Sequence, residues 1–222
     1  MSRAAVILTL AVAILAAGIF LIWPGLDLAI ARVFFHDGHF WADDPLAKAY
    51  RALFYWLPSA LMALYGIAYV LARAKIRTPA AAFVSGRGLA FLALSFALGP
   101  GVLVNLALKD HWHRPRPAQT ADFGGGMAFR PFWRPDGACD VNCSFVSGEV
   151  SASAWLIAPA SLAPPPLRAP AMAAALVITA LTALGRLAFG GHYLSDTLFA
   201  AIFTILLVQL LYRLIRPGKP EA

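Results

Sequence analysis

The chain has 222 residues, of which 60% are hydrophobic and 13% charged, and its mean hydropathy is +0.71. Soluble domains carry about 25% charged residues, so this composition excludes an ordinary soluble domain and indicates an integral membrane protein. The apolar segments have the length of membrane helices rather than the alternation of barrel strands. The net charge of +7 does not indicate a nucleic-acid partner, because most basic residues border apolar segments.

Six apolar segments are each predicted to cross the membrane as a helix. They cover residues 4–23, 53–71, 89–108, 146–162, 169–184 and 194–211. The first is longer than the apolar part of a signal peptide, which has about 7–15 residues, and we interpret it as a span. Gly99-Pro100-Gly101 interrupts the third segment and predicts a bend or a loosened turn. Residues 26–50 are mixed in character and predict an interfacial segment with a short amphipathic helix.

The basic residues predict the orientation of the chain in the membrane. In a six-span arrangement, one side carries Arg3, the basic segment 73–87, Arg168 and the basic tail 213–219. The positive-inside rule assigns that side to the cytoplasm, so both termini are predicted to be cytoplasmic. The polar segments 109–145 and 185–192 then face the periplasm of a bacterial inner membrane. The predicted fold is a single all-α, multi-pass membrane domain over residues 1–222.

Three polar segments meet at one predicted edge of the membrane, and their side chains suit a phosphate. Lys109 and Arg116 follow the third span, Ser147 and Gly148 begin the fourth, and Arg186 follows the fifth. Guanidinium groups match phosphate oxygens, and lysine adds a point charge. The start of a helix adds free backbone donors that favour an anion. We therefore expect these five residues to bind a phosphoryl group.

His192, Asp196 and Glu149 supply the chemistry predicted for this site. His192 and Asp196 are four residues apart, so they share one face if a helix begins near His192. Asp196 can accept the proton of one ring nitrogen and leave the other free to attack phosphorus. Glu149 can protonate the leaving oxygen if partial burial favours its protonated form. This arrangement requires neither a metal ion nor a cofactor.

Cys139 and Cys143 are the two cysteines of the chain, and both lie in the polar segment 109–145. In an oxidising compartment they can form a disulfide that closes a small loop. A metal pair is less favoured, because no third and fourth ligands lie at a metal-site spacing. A local disulfide and an unbonded pair remain the alternatives.

The spacing of these motifs resembles the type-2 phosphatidic acid phosphatase superfamily. It runs from Lys109 through six residues to Arg116-Pro117, then to Ser147-Gly148, and from Arg186 through five residues to His192 and three more to Asp196. The match covers residues 109–196. The resemblance implies a membrane lipid phosphatase that forms a phosphohistidine on His192, with Asp196 supporting the ring and the other five residues holding the phosphoryl group.

Two positions depart from the pattern of that superfamily. Its second motif usually reads Pro-Ser-Gly-His, whereas this chain has Val146-Ser147-Gly148-Glu149. The histidine there is the general acid, so that role falls on Glu149 or on a neighbour. His111 and His113 are alternatives, although we interpret both as interfacial polar residues. Gly185 stands where the superfamily commonly has a serine, which removes one hydroxyl group.

The resemblance leaves several substrates and functions open. We expect lipid A, because the long Arg- and Gly-rich segment suits a bulky sugar phosphate and the glutamate variant resembles lipid A phosphatases. Undecaprenyl pyrophosphate, phosphatidylglycerophosphate and phosphatidic acid are alternative substrates. A lipid phosphotransferase and a non-catalytic lipid-binding or transport protein are alternative functions. Retention of His192, Asp196 and the three cations argues against a decayed site.

The remaining charged and aromatic residues of the segment 109–145 are predicted to have supporting roles. We interpret three arginines as solvated loop charges, and they are Arg114, Arg130 and Arg134. Four aromatic residues suit a belt at the membrane surface, and they are Trp112, Phe129, Phe132 and Trp133. The glycine triplet at 124–126 predicts a tight loop over the site.

Overall fold

The computed structural model describes residues 1–76, 84–109 and 111–217, and Arg77 and Lys219 of the predicted basic segments lie outside them. The described part is helical and contains no β-strand. Its α-helices are α1 (Arg3–Ile22), α2 (Leu26–Arg32), α3 (Pro45–Arg73), α4 (Gly86–Phe96), α5 (Gly148–Ala154), α6 (Ile157–Leu162), α7 (Pro165–Ala188) and α8 (Leu194–Ile215).

Five helical segments of the described chain are long and apolar enough to cross a membrane. They are α1, α3, Gly86–Val104, α7 and α8, and they coincide with five of the six predicted spans. The chain is therefore an all-α membrane protein, as the composition predicts. The short helix α2 lies in the segment between the first two spans, where a short helix was predicted.

The predicted fourth span is not one continuous helix. It consists of two short helices, α5 and α6, in succession. Pro159 has no N–H to donate to the Trp155 carbonyl and its ring crowds that carbonyl. The Ala158 N–H instead bonds the Trp155 carbonyl at 2.8 Å, and the helix is interrupted there. The two short helices lie almost entirely inside the bundle, so their polar side chains face protein rather than lipid.

Hydrogen bonds across the bundle explain the polar character of α5 and α6. The Ser151 hydroxyl bonds the Thr204 hydroxyl of α8 at 2.6 Å. The Trp155 indole donates to the Ser95 hydroxyl of α4 at 2.8 Å. A buried polar group that keeps a partner avoids most of its desolvation cost. The serines that make this segment unusual as a membrane anchor therefore join it to its neighbours.

Helix α4 continues as a π-helix over Ala97–Leu108. Pro100 lies in its first turn and cannot donate to the carbonyl four residues earlier, and wider turns of this kind accommodate such a lost bond. The change of helix type lies where Gly99-Pro100-Gly101 predicted a loosened turn. The π-helix ends directly before Lys109 and so fixes where the first phosphate-site motif begins.

The starts of α5 and α8 and the end of α7 meet at one end of the bundle. The Ser147 N–H donates to the Asp196 carbonyl at 3.2 Å, which joins the first turns of α5 and α8. Helix α7 has 24 residues and is about 36 Å long, so it begins near the opposite end. The α5–α6 pair therefore carries the chain along the bundle. At that opposite end, Arg213 donates to the Ser2 carbonyl at 2.9 Å.

The segment 109–145 folds over the end of the bundle where these helices meet. The Ala118 N–H donates to the Gly190 carbonyl at 3.1 Å, which ties the segment to the turn between α7 and α8. Its aromatic residues do not form the predicted belt at the membrane surface, because their rings pack against other parts of the protein. Trp112 stacks on Phe145 and Phe132 stacks on Phe199, with ring centroids 4.9 and 4.6 Å apart.

Gly185 lies on α7 where Tyr50 of α3 packs against it. A Cβ atom at Gly185 would lie 2.7 Å from Cε1 of Tyr50. The Tyr50 hydroxyl donates to the Leu181 carbonyl at 2.5 Å, which holds the ring in place. Glycine at position 185, where the superfamily commonly has serine, therefore leaves room for the contact between α3 and α7.

We expect Gly185→Ser to lower the stability of the protein by about 1–3 kcal/mol, the usual cost of overpacking. The measurement is thermal unfolding of the purified protein in detergent. In the double variant Tyr50→Ala/Gly185→Ser the ring is absent, so the serine should change the stability little relative to Tyr50→Ala alone. Gly66→Ser is the matched control, because no atom lies within 4 Å of a Cβ at Gly66. Equal losses at 185 and 66 would contradict the packing argument.

Candidate active site

A cavity of about 520 Å³ lies at the end of the bundle that the segment 109–145 covers. Part of its lining is ionisable and includes Lys109, Arg116, Glu149, Arg186 and His192. The rest includes aromatic and small side chains of α3, α4 and the π-helix, among them Tyr55, Trp56, Phe96 and Pro100. Tyr55 and Trp56 are also largely exposed, and both belong to α3, a helix long and apolar enough to cross a membrane.

His192 lies in the turn between α7 and α8 and is only 2% exposed. Its Nδ1 atom is 2.7 Å from the Ser144 carbonyl oxygen. A carbonyl oxygen only accepts, so Nδ1 carries the proton and donates it. The other ring nitrogen, Nε2, then has its lone pair available. This is the tautomer that a nucleophilic histidine at this position needs.

The charge state of His192 also suits a nucleophile. Burial lowers the pKa of His192 to about 4, and Arg186 and Arg116 add to the lowering while Asp196 opposes it. The imidazole is therefore neutral at pH 7. A neutral ring surrounded by cations is ready to attack an anionic phosphate without first losing a proton.

Asp196 lies beside the His192 ring, but Ser144 takes the position that the sequence predicted for the carboxylate. Oδ2 of Asp196 is 3.8 Å from Nδ1 of His192, beyond hydrogen-bond distance. The same oxygen accepts from the Ser144 hydroxyl at 2.5 Å and from the Tyr193 N–H at 2.8 Å. Ser144 therefore connects the two residues, since its carbonyl holds the ring and its hydroxyl holds the carboxylate.

Lys109 and Arg116 are both anchored by Asn142, a residue that the sequence did not single out. The Lys109 ammonium donates to Oδ1 of Asn142 at 2.8 Å, and Nε of Arg116 donates to the Asn142 carbonyl at 3.0 Å. Asn142 has a positive φ of 54° and lies inside the loop closed by the Cys139–Cys143 disulfide. The disulfide loop therefore positions two of the predicted phosphate ligands.

Arg186 lies in the last turn of α7 and is 5% exposed. Its NH1 is 3.3 Å from Oε1 of Glu149, whereas its buried Nε has no hydrogen-bond partner within the described part of the chain. Gly191 leaves room for the guanidinium group, because a Cβ there would lie 2.4 Å from NH2 of Arg186. An anionic ligand in this cation-lined cavity would accept the hydrogen bond that the buried Nε can donate.

Ser147 and Gly148 lie at the start of α5 and have different surroundings. Ser147 is fully buried, and its hydroxyl accepts from the Val150 N–H at 3.4 Å as the cap of α5. Gly148 lines the cavity. The structure thus brings Lys109, Arg116, Gly148 and Arg186 to one cavity with His192, whereas Ser147 forms the turn behind it.

Glu149 is held by two guanidinium groups. Arg51 of α3 donates to Oε1 of Glu149 through Nε at 3.0 Å and through NH2 at 2.7 Å, and Arg186 is the second cation. Two neighbouring cations favour the ionised carboxylate. Arg51 is not among the residues predicted from the sequence, although a charged residue at the edge of an apolar span is a signal of function.

The other candidate residues of the segment 109–145 do not line the cavity. His111 is exposed, and Nδ1 of His113 is 2.9 Å from the Cys139 carbonyl. Arg130 and Arg134 are partly exposed and pair with Asp136, as expected for solvated loop charges. The same prediction is wrong for Arg114, which is fully buried between Asp27 and Asp196.

The described residues contain no group of three or more His, Cys, Asp or Glu side chains that could hold a metal ion. Metal independence remains a prediction, to be tested with chelator below.

Comparison with known proteins decides the family of the chain. The pattern of the PAP2 superfamily matches residues 88–219. The chain belongs to the PAP2 superfamily. This finding confirms the family resemblance inferred from the motif spacing. No solved structure matches the chain significantly.

Three relatives in this superfamily are each named lipid A 4'-phosphatase. The protein of Francisella tularensis subsp. novicida is 32% identical over 233 residues, which covers 99% of this chain and 99% of that protein. The Rhizobium etli protein is 34% identical over 80% of this chain and 74% of its own length. The Rhizobium leguminosarum protein is 42% identical over 53% of this chain and 50% of its own length.

We expect loss of the Cys139–Cys143 disulfide to raise KM by about 3–10-fold with a smaller effect on kcat, because misplaced ligands weaken binding. The disulfide loop holds Asn142, and Asn142 anchors Lys109 and Arg116. The measurement is phosphate release by the reduced protein and by the Cys139→Ser/Cys143→Ser variant. Reductant should not change the double variant further. An unchanged KM after complete reduction, verified by thiol titration, would contradict this role.

Proposed function

We propose that the protein hydrolyses the 4'-phosphate monoester of lipid A in the bacterial inner membrane. The proposed reaction type rests on one structural observation. The neutral His192 lines a cation-rich cavity, and its Nε2 lone pair is available. A lipid substrate is supported by the position of the cavity beside α3, one of the helices long and apolar enough to cross a membrane. The head group and the phosphate position rest on the Francisella relative, which aligns over 99% of both chains.

The first step transfers the phosphoryl group to His192. The phosphate occupies the place between Lys109, Arg116 and Arg186, where the unpartnered Nε of Arg186 gains an acceptor. The Nε2 lone pair forms an N–P bond, and the P–O bond to the sugar breaks with its electrons moving to the sugar oxygen. Preorganised cations stabilise the charge that develops on the phosphoryl oxygens. Ser144 and Asp196 stabilise the positive charge that develops on the ring.

Glu149 becomes the general acid through competition with the substrate. Without substrate, Arg51 and Arg186 favour its carboxylate form. A bound phosphate draws Arg186 to itself and places negative charge near Glu149, and both changes favour its protonation. The protonated Glu149 then gives its proton to the sugar oxygen as the P–O bond breaks. The acid is thus generated by substrate binding rather than being present beforehand.

The second step returns the enzyme to its starting state. A water molecule attacks the phosphohistidine, the new O–P bond forms, and the electrons of the P–N bond return to Nε2. The Glu149 carboxylate takes the proton that the water loses. The products are the dephosphorylated lipid and inorganic phosphate. When the phosphate leaves, Glu149 gives up the proton it took from water and pairs again with Arg51 and Arg186 as a carboxylate.

We also propose that the site faces the periplasm and that both termini are cytoplasmic in a single membrane domain. The contact between Arg213 and Ser2 supports this orientation, because it places the start of α1 and the end of α8 together. Arg168 also lies near the amino terminus at that end, which fits the positive-inside rule. An oxidising periplasm also suits the Cys139–Cys143 disulfide.

We expect the purified protein to release phosphate from lipid A phosphorylated only at the 4' position and not from the isomer phosphorylated only at the 1 position. His192→Ala should lower kcat/KM on the order of 10³-fold or more, since it removes the nucleophile. Chelator should leave the activity intact, because side-chain cations hold the phosphate. The measurement is released phosphate with product mass spectrometry, without an added acceptor lipid.

The outcomes separate the proposal from its alternatives. Undecaprenyl pyrophosphate, phosphatidylglycerophosphate and phosphatidic acid are assayed under the same conditions. A higher kcat/KM for one of them would make that lipid the substrate in place of lipid A. Phosphate transfer that requires an acceptor lipid would indicate a phosphotransferase. Full activity of His192→Ala would overturn the phosphohistidine mechanism, and loss of activity in chelator would overturn its metal independence.

We expect Glu149→Gln to lower kcat/KM for the sugar phosphate by about 10²–10⁴-fold, the usual contribution of a general acid. The loss for nitrophenyl phosphate should be under about 10-fold, because nitrophenolate leaves without a proton. Asp136→Asn is the matched control, since it removes an exposed carboxylate of the outer segment. Equal losses on both substrates would remove Glu149 from the acid role and leave it as a support for Arg51 and Arg186.

A further inference from the structure

Arg114 lies in a buried charge cluster behind His192. The cluster consists of Asp27, Arg114 and Asp196, whose side chains are 2%, 0% and 0% exposed. NH2 of Arg114 donates to Oδ2 of Asp27 at 2.7 Å, and NH1 donates to Oδ1 of Asp196. Nε donates to the Arg130 carbonyl at 2.8 Å. The guanidinium group is therefore fixed in the plane between two carboxylates.

Asp27 reaches this cluster from α2, the short helix between the first two spans. Its Oδ1 accepts from the Ser195 N–H at 2.9 Å, and its Oδ2 accepts from the Ser195 hydroxyl at 2.6 Å. Burial raises the pKa of Asp27, the Arg114 guanidinium opposes that rise, and Asp196 adds to it. The charge of Asp27 thus depends on its pair with Arg114.

The charge balance of the cluster is unusual for a structural ion pair. One carboxylate would neutralise Arg114, and burying a further charge is costly unless something compensates it. With both carboxylates ionised, the second one gives the cluster one net negative charge. Oδ2 of Asp196 brings that charge to 3.8 Å from Nδ1 of His192, the ring that becomes positive when phosphorus bonds to it.

We propose that Arg114 and Asp27 are positioning residues for His192: Arg114 fixes the orientation of Asp196, and Asp27 offsets the Arg114 charge so that Asp196 keeps its negative field at the ring. The proposal rests on the phosphohistidine chemistry proposed above. Neither residue is among those that line the cavity. Both act through Asp196 and through the Ser144 bridge between Asp196 and the ring.

Changing one charge at a time gives opposite effects that a merely structural role does not produce. Asp27→Asn leaves Arg114 paired with Asp196 alone, so the cluster has no net charge. The pH below which kcat/KM falls, the acid limb of its pH profile, should then move lower by about one unit. Arg114→Gln leaves two carboxylates, so the same limb should move to higher pH. Both variants should lower kcat by about 10–100-fold with KM within about threefold of wild type.

The other charged groups around the ring are unchanged in these variants. They are Lys109, Arg116, Glu149, Arg186 and Asp196. Differences in the acid limb and in kcat therefore come from the cluster of Asp27, Arg114 and Asp196. The acid limb is measured with two substrates whose phosphates ionise differently, because a limb common to both belongs to the enzyme. Asp136→Asn, an exposed carboxylate of the same polar segment, is the control and should leave the limb, kcat and KM unchanged.

Two further variants keep the test decisive if Arg114→Gln does not fold. Asp27→Asn/Arg114→Gln has the wild-type net charge beside His192 and should recover part of the kcat that Asp27→Asn loses, a non-additive result. Arg114→Lys keeps the charge but loses the forked geometry, so it should lower kcat without moving the acid limb. Additive losses in the double variant would overturn the charge argument.

Binding of orthovanadate provides a readout that does not depend on the lipid. Vanadate mimics the phosphoryl group as it bonds to the histidine nitrogen, so Asp27→Asn should weaken its binding by about tenfold. Phosphate release and vanadate binding that are unchanged in Asp27→Asn would overturn this inference alone. A wild-type protein that releases no phosphate and binds no vanadate would overturn the proposed function and this inference together.

Discussion

The convergence of cationic side chains on one buried cavity is the constraint on which the rest of this structure depends. Lys109, Arg116, Arg186 and Arg51 approach one another around the cavity, where partial burial reduces the screening of their repulsion. Among the described residues, Glu149 and the oxygen atoms of Asn142 offset part of that charge. This concentration of cations suits the anionic phosphate of the proposed reaction, and the surrounding fold resists the repulsion.

Several separate parts of the chain provide that resistance. Gly191 lets the Arg186 guanidinium lie against the backbone of the turn, and the Cys139–Cys143 loop fixes Asn142. The Ser147 N–H joins the first turns of α5 and α8. Side chains held by packing and by a second layer of hydrogen bonds keep a catalytic geometry better than isolated loop residues do. The polar segment 109–145 thus forms a wall of the site.

The sequence predicts well what depends on composition and on position along the chain. Long apolar segments predict the spans, and motifs at the ends of those spans are brought together because successive helices return to the same edge. The break between α5 and α6 also had a sequence signal, since Pro159 cannot donate to Trp155. It was missed because hydropathy alone reports a continuous apolar segment.

Contacts between distant residues are what the sequence could not predict. Arg114 and Asp27 are 87 positions apart, and Arg51 and Glu149 are 98 apart. Nothing in the local pattern around Arg114 distinguishes a buried guanidinium from a solvated one, because its burial depends on a carboxylate that α2 supplies. Asn142 is similarly invisible, since its role arises from a loop that only the disulfide closes.

Glutamate at position 149 changes the charge balance of the site relative to the histidine that the superfamily usually has there. A protonated histidine would add a cation to the cluster, whereas an ionised glutamate removes one unit of positive charge. Arg51 restores that unit and holds the carboxylate, so the two residues form one functional pair. In the proposed mechanism, the proton for the leaving group becomes available only when a phosphate competes for the same guanidinium groups. Electrostatics then couples substrate binding to acid catalysis.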